Sequence, residues 1–278
     1  MLLNGSLLWR FMERLSKLEA RSIYIIREAY ANFRKLGILW SIGKDSTTLM
    51  WLCRKAFYGK IPFPAIHIDT GHKFPEMYKF RDEWAKKWNV NLIIGGNFEA
   101  IKNGVKCSPG DTDACSQELK TKGLQMTIAK YGFDALILGI RRDEHGVRAK
   151  ERYFSPRTED FKWNYKDQPP ELWDQYKNKM EKGQHFRVHP LLHWTELDIW
   201  EYTQREGLPV NELYFAKNGK RYRSLGCAPT TNPVISNADT IPKIIEELKT
   251  TKVAERSGRA LDKESMHQMQ KLRSLGYM

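Results

Sequence analysis

Cysteine is scarce in this chain: Cys53, Cys107, Cys115 and Cys227 are the four among 278 residues, and they are widely spaced. That scarcity excludes a disulfide framework of the small secreted kind, so the four read as reduced thiols or ligands. No apolar run approaches the roughly 18 residues that a membrane-spanning helix needs. The start, Met1-Leu2-Leu3-Asn4-Gly5-Ser6-Leu7-Leu8, lacks a basic region and a long apolar core, so it is a poor secretory signal. The expected location is the cytoplasm. Internal repeats and low-complexity linkers are also missing. So are an arginine-rich tail, an aromatic stacking motif and a zinc-knuckle spacing, which leaves nucleic-acid binding open without a motif to carry it.

Basic charge is abundant. Lysine and arginine number 46 against 33 acidic residues, a net charge of +13. Such an excess suits polyanionic company: nucleotides, sulfate, phosphate, RNA or an acidic protein. The length allows one large domain or two small ones.

Residues 9–36 carry apolar Phe11, Leu15, Leu18, Ile23, Ile26 and Tyr30 at helical spacing. Residues 1–30 are therefore expected as an N-terminal helical segment, 31–205 as a nucleotide-binding α/β domain and 206–278 as a C-terminal substrate or interaction segment. Ile38, Leu39 and Trp40 read as a buried strand. Ser41 to Ser46 is a polar turn, and a helix is expected from Thr47 onward. A strand, a tight turn and a helix N-terminus together make an anion site. Gly43 lets the backbone approach a ligand, Lys44 adds a point charge, and Ser41, Ser46 and Thr47 offer hydroxyls. The spacing is not that of a Walker A loop, because Asp45 follows the lysine.

Pro62 to Asp69 holds a second strand that delivers Asp69-Thr70-Gly71 to the carboxyl edge of a sheet, where doubly wound folds bind ligands. A helix from Pro75 to Trp88, a strand at Leu92-Ile93-Ile94, a helix at Leu119 to Tyr131 and a strand at Ala135 to Leu138 continue the alternation. The fold class is α/β, a doubly wound, mainly parallel sheet. The fourth strand exits into Arg141-Arg142-Asp143-Glu144, and Arg148, Lys150 and Arg152 follow. These cations suit a clamp on a triphosphate or sulfate. Residues 153–190 show little periodicity and read as a long excursion. Arg187 to Leu192 returns as a short strand, Thr195 caps a helix to Arg205, and Thr240 caps one to about Thr250. A last helix is expected at about Glu264 to Leu275.

Ser41-Ile42-Gly43-Lys44-Asp45-Ser46 resembles the PP-loop of ATP pyrophosphatases, with Ile42 in place of the first glycine. His67-Ile68-Asp69-Thr70-Gly71, Lys120-Thr121-Lys122-Gly123-Leu124, Gly139-Ile140-Arg141-Arg142-Asp143-Glu144 and Arg148-Ala149-Lys150-Glu151-Arg152 follow. Leu225-Gly226-Cys227-Ala228-Pro229 and Glu255-Arg256-Ser257-Gly258-Arg259 complete a series that is far more specific than any one member. Over residues 20–278 the chain closely resembles the small, catalytic subunits of bacterial heterodimeric ATP sulfurylases, in the PAPS-reductase branch of the PP-loop superfamily.

The resemblance implies that a sulfate oxygen attacks the α-phosphorus of ATP, giving adenylyl sulfate and pyrophosphate. It implies that Ser41, Ile42, Gly43, Lys44, Asp45, Ser46, Asp69, Thr70 and Gly139 bind ATP and cradle the pyrophosphate. Lys44, Arg141, Arg142 and Arg148 are the candidate catalytic cations, and Arg256 and Arg259 would hold the substrate oxyanion. Mg²⁺ is implied, with Asp45 or Asp69 as ligands, and so is a GTPase large subunit as partner. A homo-oligomer stays open.

The chain departs from the family at three points. The segment between Tyr214 and Leu225 is short where the family carries a charged insertion that meets the GTPase. Cys107 and Cys115 are not typical. Cys227-Ala228-Pro229 ends in Thr230 where iron–sulfur reductases of the superfamily have a second cysteine. Cys107, Cys115 and Cys227 form a candidate iron–sulfur ligand set, as in some PP-loop sulfurtransferases, but the favoured reading is a buried Cys227 and two loop thiols. The alternative activity is therefore a thiolation enzyme that adenylates another acceptor. A thiol-dependent reductase is disfavoured, because the C-terminal residues Arg273 to Met278 hold no cysteine. A relative that binds nucleotide or RNA without turnover is the non-catalytic alternative.

Overall fold

The structure is a computed structural model, and it describes residues 5–108, 115–166 and 168–258. A helix α1 (Gly5–Asn32) leads into β1 (Leu36–Leu39), α2 (Lys44–Ala56), β2 (Ala65–Ile68), α3 (Pro75–Lys87) and β3 (Leu92–Gly95). A short α4 (Phe98–Lys102) and a π-helical turn (Cys115–Thr121) precede α5 (Lys122–Tyr131) and β4 (Ala135–Ile137). Then come β5 (Phe154–Arg157), β6 (His185–Val188), α6 (Glu196–Glu206), the small pair β7 (Lys220–Arg221) and β8 (Val234–Ile235), and α7 (Ile241–Thr250).

Six strands form one sheet in the order β3-β2-β1-β4-β6-β5. All neighbours are parallel except β5, which runs antiparallel to β6 at the edge. The order reverses at β1, between β2 and β4, so the exits of β1 and β4 open a crevice at the switch point. β1, β2 and β4 are buried at every position, as expected of strands covered on both faces. Ile38, Leu39, Ala65, Ile66, Leu136 and Ile137 fill the sheet's centre, with Leu49, Leu52 and Cys53 of α2 against them. Leu15, Ile25, Ile26 and Ala29 bring α1 into the same core. A second apolar cluster joins Trp200 of α6 to Tyr214, Ala238, Ile244 and Ile245. No helix among the described residues is long and apolar enough to cross a membrane.

Three local differences from the sequence reading stand out. Helix α2 starts at Lys44, three residues before Thr47, because Gly43 is its extended N-cap and Asp45 faces the positive end of its dipole. Residues 153–190 hold a strand, β5, that short-range pattern hid. It contains Pro156, which an edge strand tolerates, and tertiary pairing with β6 defines it. The helix expected at Leu119 begins as the π-helical turn at Cys115. The expected helix at 264–275 lies outside the described residues. Thr195 does cap α6: its hydroxyl accepts from Asp198 N at 3.1 Å, and Asp198 Oδ2 accepts from Thr195 N at 2.8 Å.

Candidate active site

The turn Ser41–Gly43 leaves β1 at the switch point and hands the chain to α2. Ile42 sits there at φ 68°, a left-handed conformation that strains a β-branched residue and explains why the motif prefers glycine. Its side chain is buried in the main core, which holds it in place. Ser46 Oγ donates to Gly43 O at 3.1 Å and stands 3.1 Å from Ser41 Oγ. The hydroxyl of Tyr214 accepts from the Lys44 amide at 2.9 Å and so covers one of the helix's open N–H groups. Gly139, just beyond β4, backs the turn: a Cβ there would lie 3.1 Å from Ser46 N and 3.2 Å from Asp45 O.

A cavity of about 940 Å³, its open mouth included, lies over this turn. Ser41, Gly43, Lys44, Asp45 and Ser46 form its floor, with Leu39, Leu138 and Ile140 as apolar wall. Lys73, Lys120, Arg148 and Arg256 bring four further cations from four separate segments. Glu144 is the second carboxylate on the wall, and it pairs with Arg148 and, at 2.8 Å, with Arg256. Cations thus outnumber carboxylates around an open space, which is what a polyphosphate requires.

Beneath the floor lies a buried ion network. Arg141 is fully buried and donates to Asp45 Oδ1 at 2.6 Å, to Asp143 Oδ1 at 2.5 Å and to Glu255. Lys44 pairs with Asp45 at 3.1 Å and with Glu255. Burial alone would lower the Lys44 pKa, but Asp45 and Glu255 lift it above lysine's ordinary value. Burial would raise the Glu255 pKa, yet Arg141 and Lys44 hold it well below the carboxylate range. Lys44, Arg141 and Glu255 are therefore charged at neutral pH.

The sequence-derived candidates divide accordingly. Lys44, Asp45, Ser41, Gly43, Ser46, Gly139, Arg148 and Arg256 meet at the cavity. Arg141 lies under the floor and acts through Asp45 and Glu255. Arg142 points elsewhere, its guanidinium 2.6 Å from His193 Nε2 and donating to Glu151 O at 3.0 Å. Asp69 does not line the cavity: its Oδ1 accepts from Gly71 N at 2.8 Å and Tyr78 OH at 2.7 Å, which shapes the turn after β2. Thr70 is buried with its hydroxyl 3.2 Å from Cys227 Sγ. Ile42 supports the turn from the core, and Arg259 lies outside the described residues. Tyr214, Glu144, Lys73 and Lys120 were missed. Their positions depend on packing between segments far apart in sequence, and only the motif membership of Glu144 and Lys120 hinted at it.

The cysteines correct the sequence reading. Cys107 and Cys115, expected as separate reduced loop thiols, are joined in a disulfide, their Cα atoms 4.9 Å apart. Cys227 Sγ lies 3.9 Å from Cys115 Sγ, and all three are buried. Cys227 stands 112 positions from Cys115, so sequence spacing gave no compact ligand pattern.

A mainly parallel sheet with a cation-rich cavity over a PP-loop-like turn defines a nucleotide-binding α/β protein. The phosphoadenosine phosphosulfate reductase domain family matches residues 35–233. The fold is similar to yeast FAD synthetase in complex with FAD, with a TM-score of 0.57 at 15% identity, covering 93% of each chain. "Sulfate adenylyltransferase subunit 2" of Marinomonas sp. is 42% identical, over 96% of this chain and 98% of its own. The protein of the same name from Bacteroides fragilis is 43% identical over the same shares. The chain belongs to the sulfate adenylyltransferase subunit 2 family, within the phosphoadenosine phosphosulfate reductase domain proteins.

Proposed function

We propose that this chain transfers the adenylyl group of ATP to sulfate. A sulfate oxygen bonds to the α-phosphorus, the bond from that phosphorus to the bridging oxygen of the β-phosphate breaks, and pyrophosphate leaves. The observation that carries this reading is the cavity floor itself: a PP-loop-like turn at a helix N-terminus, ringed by Lys73, Lys120, Arg148 and Arg256. The family to which the chain belongs supports sulfate as acceptor.

Each group has a task. The N-terminus of α2 and Lys44 neutralise the leaving pyrophosphate. Arg148 and Arg256 balance charge on the equatorial oxygens and the incoming oxyanion. No general base is needed, because sulfate is already an anion. Arg141 is a positioning residue that fixes Asp45 and Glu255. The hard oxygen donors on the floor, Asp45 with Ser41 and Ser46, suit Mg²⁺. Asp45 is the residue we assign to it, and when bound the ion offsets phosphate charge. Asp69 does not line the cavity and is not assigned. The relatives are named subunit 2, so a large GTPase subunit is the proposed partner, and the complex works in the cytoplasm.

The test is ATP-dependent pyrophosphate release by the purified chain with Mg²⁺, with and without sulfate or its mimic molybdate, and with the GTPase subunit added. Release that depends on the oxyanion is expected. Binding of ATP with release indifferent to oxyanion overturns sulfate as acceptor.

A further inference from the structure

Cys107 follows α4, Cys115 opens the π-helical turn, and Cys227 precedes the short turn Ala228–Thr230. Cys107 and Cys115, eight residues apart, and the distant Cys227 thus bring three sulfurs within 4.8 Å of one another, all buried, with no histidine or carboxylate among them. Leu119 is buried beside them, with Ala100, Ile101 and Val105 packed around. An all-sulfur donor set in a shell that is apolar apart from the Thr70 hydroxyl, 3.2 Å from Cys227 Sγ, selects a thiophilic ion over a hard one such as Mg²⁺.

The spacing decides between a single ion and a cluster. Tetrahedral Zn²⁺ with bonds of about 2.3 Å holds neighbouring sulfurs about 3.8 Å apart. Cys115 Sγ and Cys227 Sγ stand at 3.9 Å. A multi-iron cluster interposes its own iron and sulfide and spreads its cysteines more widely. We propose that Cys107, Cys115 and Cys227 in their reduced form bind one thiophilic ion of the Zn²⁺ type, with the fourth position open to water. The disulfide in this structure is the oxidised, metal-excluding form of the same site. A dithiol reductant supplies two electrons and two protons to open the Cys107–Cys115 bond and becomes a disulfide itself. The ion then displaces three thiol protons to solvent.

The site lies behind the nucleotide cavity. Lys120 is in the π-helical turn that Cys115 begins, and Leu225-Gly226 on the cavity wall runs directly into Cys227. Lys73 pairs its backbone with Cys227. One ion would therefore tie three rim segments together.

The experiment is metal analysis of the full chain purified under reductant without oxygen, followed by exchange with Co²⁺. One zinc per chain is expected, and Co²⁺ should give intense thiolate-to-cobalt absorption with the visible bands of a tetrahedral site. Cys107→Ser and Cys227→Ser should each lose the ion, while Cys53→Ala keeps it. Oxidation with diamide should expel it, leaving Cys53 and Cys227 as the thiols. A reduced chain that takes up no zinc and shows no cobalt–thiolate absorption overturns the proposal. So does a cobalt spectrum unchanged in Cys227→Ser, and so does iron with sulfide in place of a single ion. If a serine variant fails to fold, the intensity of the wild-type cobalt–thiolate band still counts the sulfur ligands, and fewer than three refutes the assignment. None of these readouts depends on the reaction proposed above.

Discussion

Glu255 lies 211 positions from Lys44 in sequence and against its ammonium in the fold, and the same carboxylate takes the guanidinium of Arg141. The phosphate-binding turn is thus locked from below by a residue near the far end of the described chain. Removing one member of a buried ion group leaves the others uncompensated, at about 3–5 kcal/mol. Glu255→Ala should lose about that much stability in denaturant unfolding, and Glu255→Gln should lose less because it can still accept hydrogen bonds. An unchanged midpoint in Glu255→Ala would mean that the network does not hold the floor.

Arg148 and Arg142 were equivalent in the sequence and are not in the fold. Arg148 lines the cavity beside Glu144, whereas Arg142 faces His193 and the Glu151 carbonyl. Arg148→Ala should lower kcat/KM for ATP by about 10²–10³, the usual loss for a fixed group that meets developing charge. Arg142→Ala should stay within roughly a factor of ten, since it acts on the structure at a distance from the reacting phosphates. Equal losses in pyrophosphate release would show that the assignment of the clamp is wrong.

Lys44→Ala should lower turnover with ATP by a similar factor of about 10²–10³, because it removes the floor's ammonium at the helix N-terminus. Arg141 still grips Glu255 in that variant, so the carboxylate is not stranded. Undiminished pyrophosphate release would remove the pyrophosphate cradle from the mechanism.

Much of this was legible because the relevant signals are local. Ile38-Leu39 and Ala65 to Ile68 announce buried strands, Thr195 a helix start, and Ser41 to Ser46 an anion-binding turn. β5 was hidden because an edge strand with Pro156 is defined by its partner, not by its own pattern. The Glu255 partner of Lys44 and the turn of Arg142 away from the cavity were hidden for one reason. Each is a contact between segments separated by many residues, and nothing in local composition encodes which cation meets which anion.

Gly139 makes the case for backbone contact in the site. Any side chain there meets the backbone of Asp45 and Ser46, which belongs to α2 and cannot rotate aside. Overpacking of this kind costs about 1–3 kcal/mol. Gly139→Ala should therefore displace the phosphate-binding turn, raising KM for ATP on the order of tenfold, since small misplacements at a reacting site cost more than they do elsewhere. Unaltered kinetics would show that the turn tolerates the shift.

Acid should weaken the fold before it touches the buried ion network. His67 lies on β2, 1% exposed, its Nδ1 3.0 Å from Trp40 O and its Nε2 without a hydrogen-bond partner among the described residues. Burial, with Lys73 nearby, lowers its pKa from 6.5 to about 4, and burial between Arg187 and Arg157 lowers that of His185 to about 3. Below pH 6.5 the unfolded chain takes up protons that the folded one refuses, so stability falls with pH until the folded values are reached. The loss from His67 alone is on the order of 3 kcal/mol. Glu255, whose carboxylate is held well below its ordinary value, adds its own loss only once the pH drops under the usual glutamate range. His67→Gln should flatten the upper part of the decline between pH 6.5 and 4 in urea unfolding, whatever its effect on the midpoint at neutral pH. A slope identical to that of the parent would show that His67 is not the group that titrates.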